Sequence, residues 1–241
     1  MKNGLRILLD IVTVAACYLV FTSAGWSSHH IISGSLEPTL EVGDRIFVSK
    51  FAYGYNRFSV PFAPEFLGDT RLLESAPQRG DIALFHHPRE LEKRMIKRVI
   101  GLPGDTVQLK AGRLYINGKL VPREAVRTVD YTDYLGNAQH VTEYSETLPG
   151  GVTHRIYERS DSDHADNTPL YVVPQDHYFM LGDNRDNSLD SRYSSGISHV
   201  HKKYLIGRAD VTTFSFYDCD QGKDISCPGG VPLGRFFTLI E

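Results

Sequence analysis

The chain has 241 residues, with 26 Lys and Arg against 29 Asp and Glu and a formal net charge of −3. That length allows one domain with a sizeable core and a smaller appended module, and the acidic balance lacks the basic footprint of a nucleic-acid binder. Its 21 Gly, 12 Pro, 13 Tyr and 12 Phe favour many short strands and tight turns over a helical bundle.

At the N-terminus Lys2 and Arg6 precede an apolar run from Ile7 to Ala24. As a helix rising ~1.5 Å per residue this run spans roughly 27 Å, enough for a bilayer core. Asp10 is costly in lipid but sits near the end that can reach water. Basic residues before the run, with none soon after, predict a cytoplasmic N-terminus and an exported C-terminal domain. A cleavable signal peptide ending at Thr22-Ser23-Ala24 is the rival reading and also implies export; a buried core helix is the third.

Beyond Trp26 the pattern becomes that of strands. Arg45–Phe51, Asp81–Phe85 and Met95–Ile100 come first, the last running into the turn Gly101-Leu-Pro-Gly-Asp105. Thr106–Lys110 comes next, and Arg113–Ile116 and Lys119–Val121 are joined by Asn117-Gly118, a two-residue hairpin turn. Tyr171–Val173, His177–Leu181, Leu205–Ala209 and Val211–Phe216 complete the set. Between about Val107 and Pro174 the composition turns polar, as expected of an insertion between two halves of a core sheet. Phe58–Leu67 is apolar and proline-rich, suited either to a buried loop or to one dipping into a lipid interface. Cys219 and Cys227 flank a short loop and could close a disulfide in an exported domain, or remain free thiols. Cys17 lies in the apolar run.

Three segments carry candidate chemistry. In Ser33-Gly34-Ser35-Leu36-Glu37-Pro38, Gly34 frees the backbone to bend and Pro38 stiffens the far end of the segment, so a hydroxyl and a backbone N–H can face one point. Alone, such a segment is an ordinary linker. Lys97 lies inside an apolar strand and shares a face with Met95 and Val99, where desolvation lowers a lysine pKa and yields a neutral amine; the plain alternative is a lysine snorkelling past an edge strand. Gly182–Tyr193 is dense in turn formers and charges but lacks the EF-hand spacing, and the adjacent pairs His29-His30 and His86-His87 point to opposite strand faces. No metal or other cofactor is implied. A Ser-His-Asp hydrolase is disfavoured because no Gly-x-Ser-x-Gly elbow occurs.

Together, Ser33–Leu40 with Val42–Gly54, Arg79–Phe85, Ile96–Asp105 and Gly182–Arg192 resemble, in order, the motifs of the bacterial type I signal peptidase family. The resemblance implies a mainly β fold: a single N-terminal transmembrane helix, then a β-rich catalytic core with an inserted smaller β domain. The corresponding division is 1–28 cytoplasmic tip and anchor, 29–106 first half of the core, 107–174 insertion, 175–217 second half, and 218–241 a C-terminal extension packing on the core. It implies Ser35 as nucleophile and Lys97 as general base. It also implies a Ser33 hydroxyl in the oxyanion hole beside the Ser35 N–H, and a Ser188 hydroxyl orienting the lysine amine. Asp190 and Arg192 would form a supporting ion pair, and Ile31, Leu36 and Ile96 would line shallow substrate pockets.

The implied reaction is removal of signal peptides after Ala-x-Ala-like sites. The expected partners are preprotein signal peptides, the lipid bilayer and nearby translocation machinery, with no nucleic acid. The expected location is the bacterial inner membrane, single-pass, with the catalytic domain on its outer face. The chain departs from the family pattern in carrying Leu36 where methionine is usual, Ile32 where proline is frequent, and one apolar run where many Gram-negative members have two. A conjugation-pilus maturation peptidase and a self-cleaving repressor-type peptidase would share the dyad. A catalytically silent substrate-binding relative would instead be expected to lose Ser35 or Lys97.

Overall fold

In a computed structural model, the described residues are 25–59, 68, 70–133, 135–193, 196–216 and 233–240, with residues 4, 6, 7, 9–14 and 18 before them. Those early residues are helical, and among the described residues no helix is long and apolar enough to cross a membrane. The anchor expected over 7–24 lies partly outside the described residues. Residues 60–67 of the proline-rich loop, Cys17, Cys219 and Cys227 lie wholly outside them.

The core is an eight-stranded sheet. Its strands are β1 (Trp26–His30), β2 (Asp44–Ser49), β3 (Ile82–His86), β4 (Arg94–Gly101), β12 (His177–Leu181), β13 (Val200–His201), β14 (Leu205–Ser215) and β15 (Thr238–Leu239). They run in the order β1-β2-β14-β3-β4-β12-β13, with β15 also pairing with β14. Two smaller sheets are built from the intervening sequence. One has the order β11-β5-β6-β7, formed by Tyr171–Val172, Thr106–Lys110, Arg113–Ile116 and Lys119–Leu120. The other has the order β10-β9-β8, formed by Thr153–Glu158, Ala138–Thr147 and Arg123–Thr132.

Local sequence explains these elements. Asn117 and Gly118 both take positive φ, 52° and 72°, the geometry of a hairpin turn matching strand twist. Strand β4 is central, so both of its faces are covered. Met95 and Val99 pack in a cluster with Ala83, Phe85 and Met180, whereas Ile96 packs against one containing Ile31, Leu36 and Leu84. The two strands expected over Leu205–Ala209 and Val211–Phe216 form the single β14, whose register shifts between Ala209 and Val211 and again between Thr212 and Phe214. At each shift a bulge lets one strand continue past an unpaired residue.

Candidate active site

Ser35 sits in a single 3-10 turn, Gly34–Leu36, entered from an extended Ser33 (φ −141°). Two buried leucines, Leu36 and Leu40, hold the segment in the core by burying their side chains. The Leu40 N–H also bonds the Leu36 carbonyl at 2.9 Å. The Ser35 carbonyl accepts from the Asn184 backbone N–H at 3.2 Å, which ties the turn to the segment following β12.

Lys97 arrives from β4, opposite Ala83 of β3. Its side chain is buried, and its Nζ lies 2.6 Å from Ser35 Oγ and 3.1 Å from the Ile96 carbonyl. The amine has no carboxylate in its hydrogen-bonding shell among the described residues. Burial lowers its pKa to about 8, despite the opposing pull of Asp190 and Asp183. A primary amine thus stands in hydrogen-bond contact with a primary hydroxyl in a buried site, where the neutral amine can accept the hydroxyl proton. Ser33 Oγ lies 3.5 Å from Ser35 Oγ, on the same side of the turn.

Ion pairs stand behind this contact. Arg98 donates to both oxygens of Asp183 at 2.8 Å and to the Gly80 carbonyl, while the Thr39 hydroxyl donates to Asp183 at 2.6 Å. Arg192 donates to both oxygens of Asp190 at 2.9 Å, and Asp190 also accepts from the Gly182 N–H at 3.1 Å. The guanidinium partners hold both aspartates below the usual carboxylate range, against the upward push of burial. Arg185 pairs through both terminal nitrogens with Glu146 of β9. His154 lies 3.6 Å from Glu146 and 3.8 Å from Asp183, and burial lowers its pKa to about 4, so it stays neutral there.

Ser35, Lys97, Ser33, Asp190 and Arg192 therefore converge. Ser188 is brought close as well, but differently from the expectation of a hydroxyl bonded to the amine. Its Oγ is buried without a hydrogen-bond partner, and it packs against Gly182, where a Cβ would meet Ser188 Oγ at 2.2 Å and the Ser35 carbonyl oxygen at 2.4 Å. Only glycine allows that close approach. Ile31 and Leu36 are buried, and Ile96, partly buried, packs against them in one apolar cluster.

Sequence reasoning assigned no role to Gly182, Asp183, Asn184, Glu37 or Tyr131. The Asn184 side-chain amide lies 3.1 Å from the Gly34 carbonyl, 3.2 Å from Glu37 Oε2 and 3.0 Å from the Tyr131 hydroxyl. Glu37 is pushed up to about 7 by burial. Among the described residues, Glu158, Asp166 and Asp186 are the acidic group whose ligand atoms, within 4.8 Å of one another, could meet a cation. Burial raises Glu158 to about 8 and Asp166 to about 6, so protons can relieve their mutual repulsion.

The family model described as "Signal peptidase, peptidase S26" matches residues 5–214. The chain belongs to this family. Among curated relatives of this signal peptidase, Signal peptidase I of Pseudomonas aeruginosa is 43% identical over 220 residues, covering 88% of this chain and 70% of that protein. Signal peptidase I of Rickettsia typhi is 39% identical over 193 residues, covering 76% and 70%. A crystal structure of a signal peptidase I from Enterococcus faecalis is 30% identical, covering 56% of this chain and 97% of that one with a TM-score of 0.33, too loose a superposition to bear on the fold. As a member of the signal peptidase family the chain is a peptidase, and family membership supports signal-peptide removal as its activity.

Proposed function

We propose that this signal peptidase is a membrane-bound serine endopeptidase that cleaves exported preproteins after Ala-x-Ala-like sites, with Ser35 as nucleophile and Lys97 as general base. The observation that carries the reading is the 2.6 Å contact between Lys97 Nζ and Ser35 Oγ, with the amine buried and its pKa lowered to about 8. Neutral Lys97 takes the Ser35 proton as Oγ attacks the scissile carbonyl. The Ser35 N–H and the Ser33 hydroxyl hold the oxyanion. Protonated Lys97 then gives its proton to the departing amine, and the amine so regenerated activates water to hydrolyse the acyl-enzyme.

Asp190 and Arg192 support the wall behind the lysine, and Ser188 packs against Gly182 beside the Ser35 turn. Ile31, Leu36 and Ile96 line pockets that take small side chains. In this reading residues 1–28 anchor the chain, with the N-terminus cytoplasmic and the catalytic core on the outer face of the inner membrane. Residues 107–174 act as an inserted domain between core halves 29–106 and 175–217, and residues 218–241 pack on the core. An anchor holds the site where a signal peptide's apolar segment already lies, beside the translocation machinery, which raises local substrate concentration without new contacts.

The test is cleavage of a model preprotein by the full chain in detergent, with mass spectrometry of the new N-terminus. One cut, directly after an Ala-x-Ala sequence and absent in Ser35→Ala, is expected. Equal processing of a preprotein carrying Leu or Phe immediately before the cut would overturn the pocket assignment, and an active Ser35→Ala would overturn the nucleophile.

A further inference from the structure

We propose that Glu37 and Tyr131 are positioning residues for peptide cleavage, holding the Gly34–Leu36 turn through the side-chain amide of Asn184. The proposal rests on the Ser35–Lys97 reading. Tyr131 lies on β8, far from Ser35 in sequence, and reaches the turn because β10 docks beside it. The Tyr157 N–H bonds the Asp183 carbonyl at 2.9 Å, and the Tyr157 and Tyr131 rings pack with centroids 5.7 Å apart. The Tyr131 phenol accepts from the Asn184 amide at 3.0 Å, and Glu37 Oε2 accepts from the same amide at 3.2 Å. That amide also reaches the Gly34 carbonyl, the peptide oxygen just before Ser35, at 3.1 Å.

The carboxyl of Glu37 lies directly over Gly34, since a Cβ there would meet its oxygens and Cδ at 2.7–2.8 Å. It therefore closes the turn from above, while Asn184 closes it from the side. Together these contacts fix the peptide whose orientation aims Ser35 Oγ at Lys97 and the Ser35 N–H at the oxyanion. A small displacement of such a turn costs rate rather than binding, because attack geometry is lost while the substrate-contacting surface remains. Glu41, Asp133, Tyr131 and Tyr157 are the titratable groups acting on Glu37. The two tyrosines are pushed upward by burial and remain phenols at neutral pH.

The experiment is steady-state cleavage of a model preprotein by the full chain in detergent at pH 7.5. The variants are Tyr131→Phe, Glu37→Ala, Glu37→Gln, the double variant Tyr131→Phe/Glu37→Ala, and Ser35→Ala, each checked by near-UV circular dichroism. Tyr131→Phe and Glu37→Ala should each lower kcat by about tenfold with KM within about twofold, the scale of one lost hydrogen bond in a positioned site. Glu37→Gln, which keeps an acceptor for Asn184, should recover most of the loss. The double variant should be little worse than either single one, since both act on one turn. Folded Tyr131→Phe and Glu37→Ala with unchanged kcat, or losses confined to KM, would overturn the proposal while an inactive Ser35→Ala leaves the nucleophile standing. An active Ser35→Ala would overturn both.

Discussion

Lys97 and Arg98 are neighbours on β4, both cationic and both buried, yet they face opposite surroundings. Arg98 meets the Asp183 carboxylate in a two-pronged contact, the Thr39 hydroxyl and the Gly80 carbonyl. Lys97 meets a hydroxyl and a single carbonyl oxygen. Desolvation acts on both, so the kind of cation and its partner together decide the outcome. A guanidinium cannot give up its proton in a protein, and paired with a matched carboxylate it serves as a strut. An amine with no carboxylate in hydrogen-bond reach can instead lose its proton and act as a base. The alternation of a strand places a base and a strut one residue apart.

The sharpest way to break this contrast is Lys97→Arg, which puts a permanently charged guanidinium on both faces. Turnover should fall to background, with the fold retained by circular dichroism. Substantial activity in the folded variant, assayed free of host peptidase, would remove Lys97 from the base role. The next largest effect is on the opposite face. Arg98→Met strands a buried Asp183 charge, and urea unfolding should show a loss of about 3–5 kcal/mol. Adding Asp183→Asn should recover part of it, because the second change removes the orphaned charge. Ser33→Ala leaves both cations in place and removes one donor from the oxyanion site. It should lower kcat by about 10²–10³-fold with little change in KM, and a change in KM alone would move Ser33 from catalysis to substrate binding.

How much of this was legible depended on whether the signal was local. Strands β5, β6 and β12 were read at their observed bounds because alternation and turn chemistry lie within a few residues. Strands β8 to β10 were not read individually. Most of β8 is exposed, so its polar composition concealed an extended backbone stabilised by its neighbour β9. At the site, Ser35 and Lys97 stood out through motif context, and the alternation of β4 separated Lys97 from Arg98. The partners of Arg98 and Glu37 were invisible because they come from distant segments, Asp183 across the sheet and Tyr131 across the intervening sequence. Ser188 shows the limit of role transfer: the segment was found, but its hydroxyl packs against Gly182 without the expected bond to the amine.

The smallest predicted effect tests why the two cations differ, through pH. With Lys97 lowered to about 8, roughly a tenth of the amine is neutral at pH 7 and most of it at pH 9, so kcat/KM should rise about tenfold across that range. A near-neutral rise set by a histidine would have a different midpoint, near pH 6.5, and would argue against the lysine. Stability carries the same sign. The unfolded chain binds the Lys97 proton up to its ordinary pKa of 10.5, whereas the folded chain releases it near 8. Between those values the unfolded state holds more protons, so Lys97 contributes rising stability as pH climbs from about 8 to 10.5. Below 8 both states are protonated and the full cost of the buried charge, on the order of 3 kcal/mol, remains. Lys97→Met, which removes the charge and keeps the packing, should therefore be more stable than the parent at pH 7 and lose that advantage towards pH 10.5. Arg98→Met should be destabilised at both ends of the range, because it leaves Asp183 buried without its guanidinium partner throughout. Parallel pH profiles for the two methionine variants would mean that the folded chain does not release the Lys97 proton in this range, and would remove the contrast between these adjacent cations.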